Sequence, residues 1–304
     1  MYAIETKNII KRYGRINVLA DINIHVPEKS IYGFVGENGS GKTTLLRILT
    51  GLANPTAGTY SIHGVPNTSK KIYEVRQKTS AIVETTSLIS SMNARDNLRH
   101  ACLYLGLKYD EEKISSLLRL VGLDNVGKKK VKNYSLGMRQ RLGVALCLIN
   151  EPDILLLDEP LNGLDPQGIA ELRSLLIELN EKKGISILIS SHILSELEKI
   201  ATHYGFIKKG KLIEEISAED LYKKCQKSLS LKVDNVEKAM DLLRSMNLKN
   251  IEYFSTGEIH IYEEITIAEV IEKLSKNDIH IIAIHSKEKS IEDYYLSLVR
   301  GANN

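Results

Sequence analysis

Gly36-Glu37-Asn38-Gly39-Ser40-Gly41-Lys42-Thr43-Thr44 is the stretch that decides the fold. It follows the apolar run 31–35 and precedes the largely apolar residues 45–49, and it fits the phosphate-loop pattern G-x-x-x-x-G-K-[ST]. In such a loop the glycines let the backbone curl so that successive N–H groups point inward, and the following helix adds its positive N-terminal end. The pattern therefore predicts a polyphosphate site, with Lys42 on the β- and γ-phosphates and the Thr43 hydroxyl on Mg²⁺.

The composition is that of an ordinary globular protein. The chain has 304 residues, 43% of them apolar and 26% charged, which is enough for one large domain and a smaller one. A net charge of +3 does not indicate a nucleic-acid partner. Cys102, Cys147 and Cys225 are isolated, which argues against disulfides and zinc and fits a reducing cytoplasm. Neither a signal peptide nor a spanning apolar run is visible, so we expect any membrane association to come through a partner.

The first part of the chain alternates between strand and helix patterns. Short polar and apolar runs in residues 1–30 are typical of half-buried antiparallel strands. Continuous apolar runs that indicate buried strands follow at residues 31–35, 80–83, 154–158 and 185–189. Because helical patterns separate these runs, the sequence predicts an α/β domain with a parallel sheet over residues 1–216, including a helical subdomain at about 93–135.

The remainder of the chain, residues 217–304, has a different pattern. Strand and helix signals alternate there in the order of the ferredoxin-like β-α-β-β-α-β unit, at residues 229–233, 236–246, 251–254, 259–262, 267–274 and 279–284. A last helix over residues 290–299 begins with Ser290 and Asp293, which resemble an N-terminal capping box. Since no catalytic constellation is visible in this part, we expect a small α+β accessory domain.

Two carboxylates end one of the buried strands. Asp158 stands at the end of the apolar run at 154–158, where it could bind the water shell of Mg²⁺. Glu159 beside it could accept a proton from an attacking water. Such a pair alone could equally serve to solvate the end of a strand, but the phosphate loop upstream favours the catalytic interpretation.

Residues 135–140, Ser-Leu-Gly-Met-Arg-Gln, resemble the signature motif of ABC-type ATPases. They lie between the phosphate loop and the Asp158-Glu159 pair, as that family requires. The family also has an aromatic A-loop residue, a Q-loop, a D-loop and an H-loop, which correspond in order to Tyr13, Glu84, residues 161–165 and His192. The resemblance covers roughly residues 1–216 and implies a P-loop NTPase of the ABC type, with a parallel-sheet core, an antiparallel β subdomain and a helical subdomain.

The resemblance implies a role for each of these residues. Tyr13 would stack on adenine, although a core tyrosine is the plainer interpretation. Ser135 and Gly137 would offer a hydroxyl and a backbone N–H to the γ-phosphate bound by the other protomer. His192 would donate a hydrogen bond to the γ-phosphate and hold the attacking water, unless it is structural. Asp165 would bridge the seam of the dimer, or merely cap the turn before Pro166.

These arguments define three sets of expected site residues. The catalytic set is Lys42, Glu159 and His192. The expected metal ligands are Thr43, Glu84 and Asp158. The expected nucleotide-binding residues are Tyr13, Gly36, Glu37, Asn38, Gly39, Ser40, Gly41, Lys42, Thr43, Thr44, Glu84, Ser135, Gly137 and Asp165.

The chain departs from the common family pattern at two places. In the signature, Tyr134, Leu136 and Met138 replace the usual leucine, glycine and glutamine, although the phosphate-contacting pair is kept. At the Q-loop the chain has Glu84 in place of glutamine. This pattern resembles the ABC subfamily that exports or expels bacitracin and lantibiotics, in which a glutamate is common at this loop. Glu84 would then be an anionic ligand near Mg²⁺ and could pair with a basic residue of a membrane partner, unless it is only a surface carboxylate.

The resemblance implies an ATP-hydrolysing subunit that uses ATP and Mg²⁺ to energise an integral-membrane permease. It would work on the cytoplasmic face of the membrane, as a homodimer or as a heterodimer with a second ATPase subunit, without nucleic acid. Three alternatives are a soluble ABC ATPase of translation or DNA maintenance, an ABC exporter of another substrate, and a nucleotide kinase. The first usually has two cassettes or a long coiled coil, and a kinase has no need for residues 135–140 or His192.

Overall fold

The computed structural model describes residues 1–225, 228–246, 248, 251–254, 257–263, 265–287 and 290–301. The chain forms two compact units, Met1–Ala218 and Glu219–Asn304. The division lies close to residue 216, where the sequence pattern changes. Within the described residues, no helix combines the length and the apolar character that crossing a bilayer requires.

The first unit contains two sheets and the helices that connect their strands. In chain order its strands are β1 (Tyr2–Tyr13), β2 (Ile16–Ile22), β3 (His25–Pro27), β4 (Ile31–Val35), β5 (Ala57–Ile62), β6 (Val65–Pro66), β7 (Thr79–Ile82), β8 (Ile154–Asp158), β9 (Ser186–Ser191), β10 (His203–Lys208) and β11 (Lys211–Ser217). The helices are α1 (Lys42–Leu49), α2 (Ile72–Arg76), α3 (Ala94–Tyr104), α4 (Glu111–Leu120), α5 (Leu136–Leu148), α6 (Pro166–Lys183) and α7 (Leu194–Leu197).

The larger sheet has the strand order β11-β10-β4-β9-β8-β7. Its strands are parallel except for the edge strand β11, which pairs antiparallel to β10. Strands β4 and β8 are buried along their whole length, as continuous apolar runs in a covered parallel sheet should be. The register sets Val35 beside Ser191 and Asp158 beside Ser190, so three functional loops leave the sheet at one edge.

The smaller sheet is antiparallel and has the order β2-β1-β5-β6, with β3 also paired to β1. Its apolar side chains share one core with those of α1 and of the larger sheet. Thr6 on β1 is fully buried within this region, and its hydroxyl donates to the Ile22 carbonyl at 2.9 Å and accepts from the Ile24 N–H at 2.9 Å. The hydroxyl satisfies two backbone groups that would otherwise be buried without partners.

Helices fill the segment between β7 and β8. Asn93 caps α3 by accepting from the Asp96 N–H, and Asp110 caps α4 by accepting from the N–H groups of Glu112 and Lys113. Two short 3₁₀ turns, Asp124–Val126 and Val131–Asn133, lead from α4 to α5. Residues 93–135 thus contain two α-helices and two 3₁₀ turns, and their role as a separate helical subdomain stays a prediction.

The second unit follows the β-α-β-β-α-β order predicted from the sequence. Its elements are α8 (Ala218–Lys224), β12 (Ser228–Val233), α9 (Val236–Ser245), β13 (Ile251–Tyr253), β14 (Ile259–Ile261), α10 (Ile267–Ser275), β15 (Ile281–Lys287) and α11 (Ile291–Gly301). The sheet order is β13-β14-β12-β15, and all three pairings are antiparallel. Ser290 and Asp293 form the expected capping box, with the Ser290 hydroxyl accepting from the Asp293 N–H at 3.0 Å.

Two details of this unit differ from the sequence-based expectation. Helix α8 lies where the sequence analysis placed only a domain boundary. The helix is short and has one buried residue, Leu221, so it leaves no periodic apolar pattern in the sequence. Strand β15 begins at Ile281 and not at Ile279. The N–H of Ile279 bonds to the Leu274 carbonyl and closes the end of α10, so this buried residue belongs to the helix terminus.

We predict that Thr6→Val lowers the free energy of unfolding by about 1–3 kcal/mol, because it leaves the Ile22 carbonyl and the Ile24 N–H buried without their partner. Urea unfolding measures the effect. Lys7→Ala is the control, since its exposed side chain pairs only loosely with Glu5 and should change stability by less than about 0.5 kcal/mol. Equal stabilities of the two variants would contradict the role of the hydroxyl.

Candidate functional site

The phosphate loop connects β4 to α1 at the carboxyl edge of the larger sheet. Gly39 and Gly41 have φ angles of 80° and 110°, which side chains disfavour. A Cβ at Gly41 would lie 2.6 Å from Leu19 Cδ2 and 2.8 Å from the Val18 carbonyl oxygen. No side chain caps the N-terminus of α1, so its first N–H groups are available to an anion.

Lys42 lies at the centre of the loop with only 5% of its surface exposed. Its ammonium donates to the carbonyl oxygens of Gly36 at 2.6 Å and Glu37 at 3.1 Å. It also lies 3.2 Å from Glu159 Oε1. The buried hydroxyl of Ser40, in the same loop, has no hydrogen-bond partner in the structure. A buried cation beside an unsatisfied hydroxyl is an arrangement that fits phosphate oxygens.

The tip of β8 is fixed by Ser190 of the neighbouring strand. The Ser190 hydroxyl is buried, donates to Asp158 Oδ1 at 2.6 Å and accepts from the Glu159 N–H at 3.0 Å. The backbone of Glu159 is left-handed, with φ 49°, so the chain turns sharply at the end of the strand. Asp158 and Glu159 consequently have different surroundings: the aspartate is buried against β9, whereas the glutamate extends toward the phosphate loop.

His192 follows directly after β9, and its Nδ1 lies 2.8 Å from Glu159 Oε2. The two oxygens of Glu159 thus contact Lys42 on one side and His192 on the other. The structure therefore brings the three expected catalytic residues into direct contact. Asp158 is linked to this group because it precedes Glu159 in the chain and accepts a hydrogen bond from the Ser190 hydroxyl.

Tyr13 and Glu84 lie at the ends of β1 and β7. The Tyr13 side chain is 48% exposed, which is not the environment of a core residue, and the Lys11 ammonium lies 5.0 Å from its ring centroid. Glu84 has a left-handed backbone, with φ 65°, and its carboxylate forms an ion pair with Arg47 of α1. The stacking role of Tyr13 and the metal-binding role of Glu84 stay predictions.

Ser135 and Asp165 are the N-cap residues of α5 and α6. The Ser135 hydroxyl accepts from the Met138 N–H at 3.2 Å, and Asp165 Oδ1 accepts from the Gly168 N–H at 3.1 Å. Gly137 lies in the first turn of α5, where a Cβ would be 3.5 Å from the Gly168 Cα. The two helices thus begin side by side, and the capping interpretation of Asp165 describes its contacts within this chain.

Comparisons with known proteins identify the family. The sequence model of the ABC transporter family matches residues 19–162. The chain is 38% identical over 301 residues to the bacitracin transport ATP-binding protein BcrA of Enterococcus faecalis, covering 99% of this chain and 97% of that protein. It is 43% identical over 212 residues to the lantibiotic transport ATP-binding protein SrtF of Streptococcus pyogenes, covering 70% of this chain and 90% of that protein. The chain belongs to the ATP-binding subunits of ABC transporters.

Solved structures support the same fold for the first unit of this ABC ATPase. The dimeric post-hydrolysis state of the ATP-binding cassette MJ0796, bound to ADP and phosphate, matches with a TM-score of 0.63 at 24% identity, covering 71% of this chain and 98% of that one. The cassette CbiO1 from Clostridium perfringens matches with a TM-score of 0.65 at 24% identity, covering 82% and 95%. The family match, the relatives and these structures together confirm the predicted α/β fold of the ABC type. The family match and the relatives also confirm the predicted ATPase activity. They do not favour the alternative of a soluble ABC ATPase of translation or DNA maintenance.

The site geometry fits the nucleotide that this family binds. The uncapped start of α1, the Lys42 ammonium and the unpartnered Ser40 hydroxyl offer hydrogen bonds to phosphate oxygens. The Thr43 hydroxyl and the Asp158 carboxylate are oxygen ligands of the type that Mg²⁺ prefers.

Sequence reasoning missed Ser190. The sequence signal was available, because Ser190 follows the apolar run at 185–189 and precedes His192 by two residues. Its importance depends on Asp158, 32 positions away in the chain, which local pattern does not reveal. The Ser190 hydroxyl orients the Asp158 carboxylate, which is expected to hold Mg²⁺. Ser190 would therefore affect the metal site through Asp158 and not by contacting the nucleotide.

We predict that Ser190→Ala lowers the rate of ATP hydrolysis roughly tenfold, because Asp158 loses the donor that orients it. Steady-state phosphate release measures the rate. Ser186→Ala is the matched control: Ser186 is also a buried serine of β9, but its hydroxyl accepts from the Lys29 N–H at the opposite end of the strand. If both variants hydrolyse ATP equally fast, Ser190 has only a structural role.

Proposed function

We propose that this ABC ATPase drives the export or expulsion of an antimicrobial peptide such as bacitracin or a lantibiotic. The observation that supports this most directly is the match to the bacitracin transport protein of Enterococcus faecalis, which extends over 99% of the chain and so includes the second unit. The match to the lantibiotic transport protein of Streptococcus pyogenes and the glutamate at position 84 point the same way.

In the proposed reaction, water attacks the γ-phosphorus of ATP, the bond to the bridging oxygen breaks so that ADP leaves, and Glu159 accepts the proton of the attacking water. Bound Mg²⁺, held by Thr43, Asp158 and Glu84, would neutralise charge on the phosphates. Lys42 lies 3.2 Å from Glu159 Oε1, so a phosphate that draws the ammonium toward itself frees that oxygen to act as the base. His192 keeps the carboxylate in place through Oε2, at 2.8 Å. Nδ1 of His192 is paired with Glu159, so Nε2 is the ring nitrogen that would face the γ-phosphate.

Two copies of the cassette complete the site in this proposal. Ser135 and Leu136 at the start of α5 are exposed, although Gly137 in the same turn is buried. An exposed helix start with a hydroxyl cap suits a phosphate from a second chain. ATP would bridge Lys42 of one copy and Ser135 of the other, and hydrolysis would remove the bridging phosphate and let the copies separate. The second copy is either this chain again or another ATPase subunit.

The partner in the membrane is proposed to be a permease, with the ATPase on its cytoplasmic side. A groove of about 560 Å³ opens beside Glu84, between β7 and the helices α3 and α5. Thr85, His100 and Tyr104 are among its lining residues, and Tyr104 is 85% exposed. Leu103 and Leu105 beside it are also exposed, and a group of exposed apolar side chains next to a groove is typical of a protein contact surface. We propose that a cytoplasmic segment of the permease binds here, and that residues 217–304 form an accessory domain.

We predict that Glu159→Gln forms a stable dimer with ATP, because nucleotide binds but the proton acceptor is lost. Gel filtration in the presence of ATP and Mg²⁺ should show twice the mass of the chain. The double variant Glu159→Gln with Lys42→Ala is the control and should stay monomeric, since it lacks the phosphate-binding ammonium. A Glu159→Gln chain that is monomeric at every ATP concentration would contradict the dimer proposal.

Transport is tested by deleting the gene and purifying the tagged chain from membranes. We predict that the deletion strain becomes more sensitive to bacitracin or to a lantibiotic, and that the chain copurifies with a polytopic membrane protein.

Complementation with Glu84→Ala should restore less resistance than the wild type because the carboxylate is lost. Arg12→Ala, an exposed change near Tyr13, serves as a surface control. Unchanged sensitivity to both peptide classes would reject the proposed substrate but leave the ATPase assignment intact.

A further inference from the structure

Arg47 connects α1 to the loop that carries Glu84. It lies on α1, four residues and therefore about one helical turn after Thr43. Its guanidinium forms an ion pair with the Glu84 carboxylate in the loop after β7. The hydrogen bond and charge of Glu84, with a smaller electrostatic contribution from Tyr13 at the end of β1, raise the pKa of Arg47. The residue expected to contact the metal is thus paired with a cation of α1.

Glu84 makes this contact from an unusual backbone conformation. Glu84 has φ 65°, a left-handed conformation that residues with a Cβ disfavour. Its carboxylate lies on the exposed side of α1 against Arg47, whereas Lys42 and Asp158 are buried. Arg47 and Glu84 are 38% and 56% exposed, so water can replace either partner. Exposed pairs of this kind are weak enough to break during a reaction cycle.

We propose that Arg47 is a positioning residue that competes with Mg²⁺ for the Glu84 carboxylate. The inference rests on the proposed role of Glu84 as a metal ligand. A carboxylate paired with a guanidinium has part of its charge neutralised, and the guanidinium repels a divalent cation that approaches the same oxygens. Glu84 therefore moves from Arg47 to the metal when Mg²⁺ and nucleotide bind together.

The glutamate makes this competition possible. A glutamine at position 84 would offer a neutral oxygen that pairs far more weakly with a guanidinium. Arg47 would then compete little with Mg²⁺ for that oxygen. Replacing the amide by a carboxylate strengthens the contact with Mg²⁺ and the contact with Arg47 together. Arg47 consequently limits the gain in metal affinity that the glutamate would otherwise bring.

The test measures binding and not turnover. The full chain is mixed with a fluorescent, non-hydrolysable ATP analogue, and free Mg²⁺ is titrated for the wild type and for Arg47→Gln, Arg47→Lys, Glu84→Gln and the double variant Arg47→Gln with Glu84→Gln. We expect Arg47→Gln to lower the Mg²⁺ concentration for half-maximal binding about two- to fivefold. Arg47→Lys keeps the charge and should stay close to the wild type. In the Glu84→Gln background, Arg47→Gln should have no effect.

Three results would overturn the inference. One is an Arg47→Gln chain that needs as much Mg²⁺ as the wild type, or more. Another is an equal shift with and without the Glu84→Gln substitution, because Arg47 would then act elsewhere. The third is an equal Mg²⁺ requirement in Arg47→Gln with and without Glu84→Gln, which would remove Glu84 from the metal site but leave the proposed transport function untouched. A wild type that binds no nucleotide at any Mg²⁺ concentration would instead reject the nucleotide site itself.

Discussion

The contact that the active site depends on is the carboxylate of Glu159 between Lys42 and His192. One oxygen lies 3.2 Å from the Lys42 ammonium and the other 2.8 Å from His192 Nδ1. The three residues come from the phosphate loop, the end of β8 and the end of β9, so one carboxylate ties three loops together. A negative charge at this place also offsets the buried ammonium, which would otherwise be costly to remove from water. Any phosphate that enters must therefore take over a charge interaction that the protein already makes.

The parallel sheet makes this contact possible. Because β4, β8 and β9 are parallel neighbours, their carboxyl ends meet at one edge, and the register places Asp158 beside Ser190 and Val35 beside Ser191. The site is thus built from residues far apart in the chain on a rigid frame, and little ordering remains to be done when nucleotide binds. Residues at the edge, such as Glu84 on its exposed loop, have more freedom, which suits a residue that responds to binding.

The sequence predicted the elements of the fold better than their arrangement. The phosphate loop, the signature and the Asp158-Glu159 pair were recognisable because each depends on a short spacing of residue types. The strand order was not, since β4 pairs with β9 and β10, more than 150 positions later in the chain, and nothing local encodes that pairing. The same limit explains the missed residues. Ser190 and Arg47 act on partners 32 and 37 positions away, and an isolated serine or arginine gives no signal of such a partner.

Ser135 and Asp165 show that structural and functional roles need not exclude each other. Each caps a helix within a single chain, which shapes the surface before a second chain arrives and lowers the cost of ordering it on association. Ser135 uses a lone pair to accept from Met138, and this leaves its O–H proton for a phosphate oxygen. Asp165 uses Oδ1 for Gly168, and its second oxygen can accept from another chain. A cap can therefore also be a contact, because the two bonds use different atoms of the same side chain.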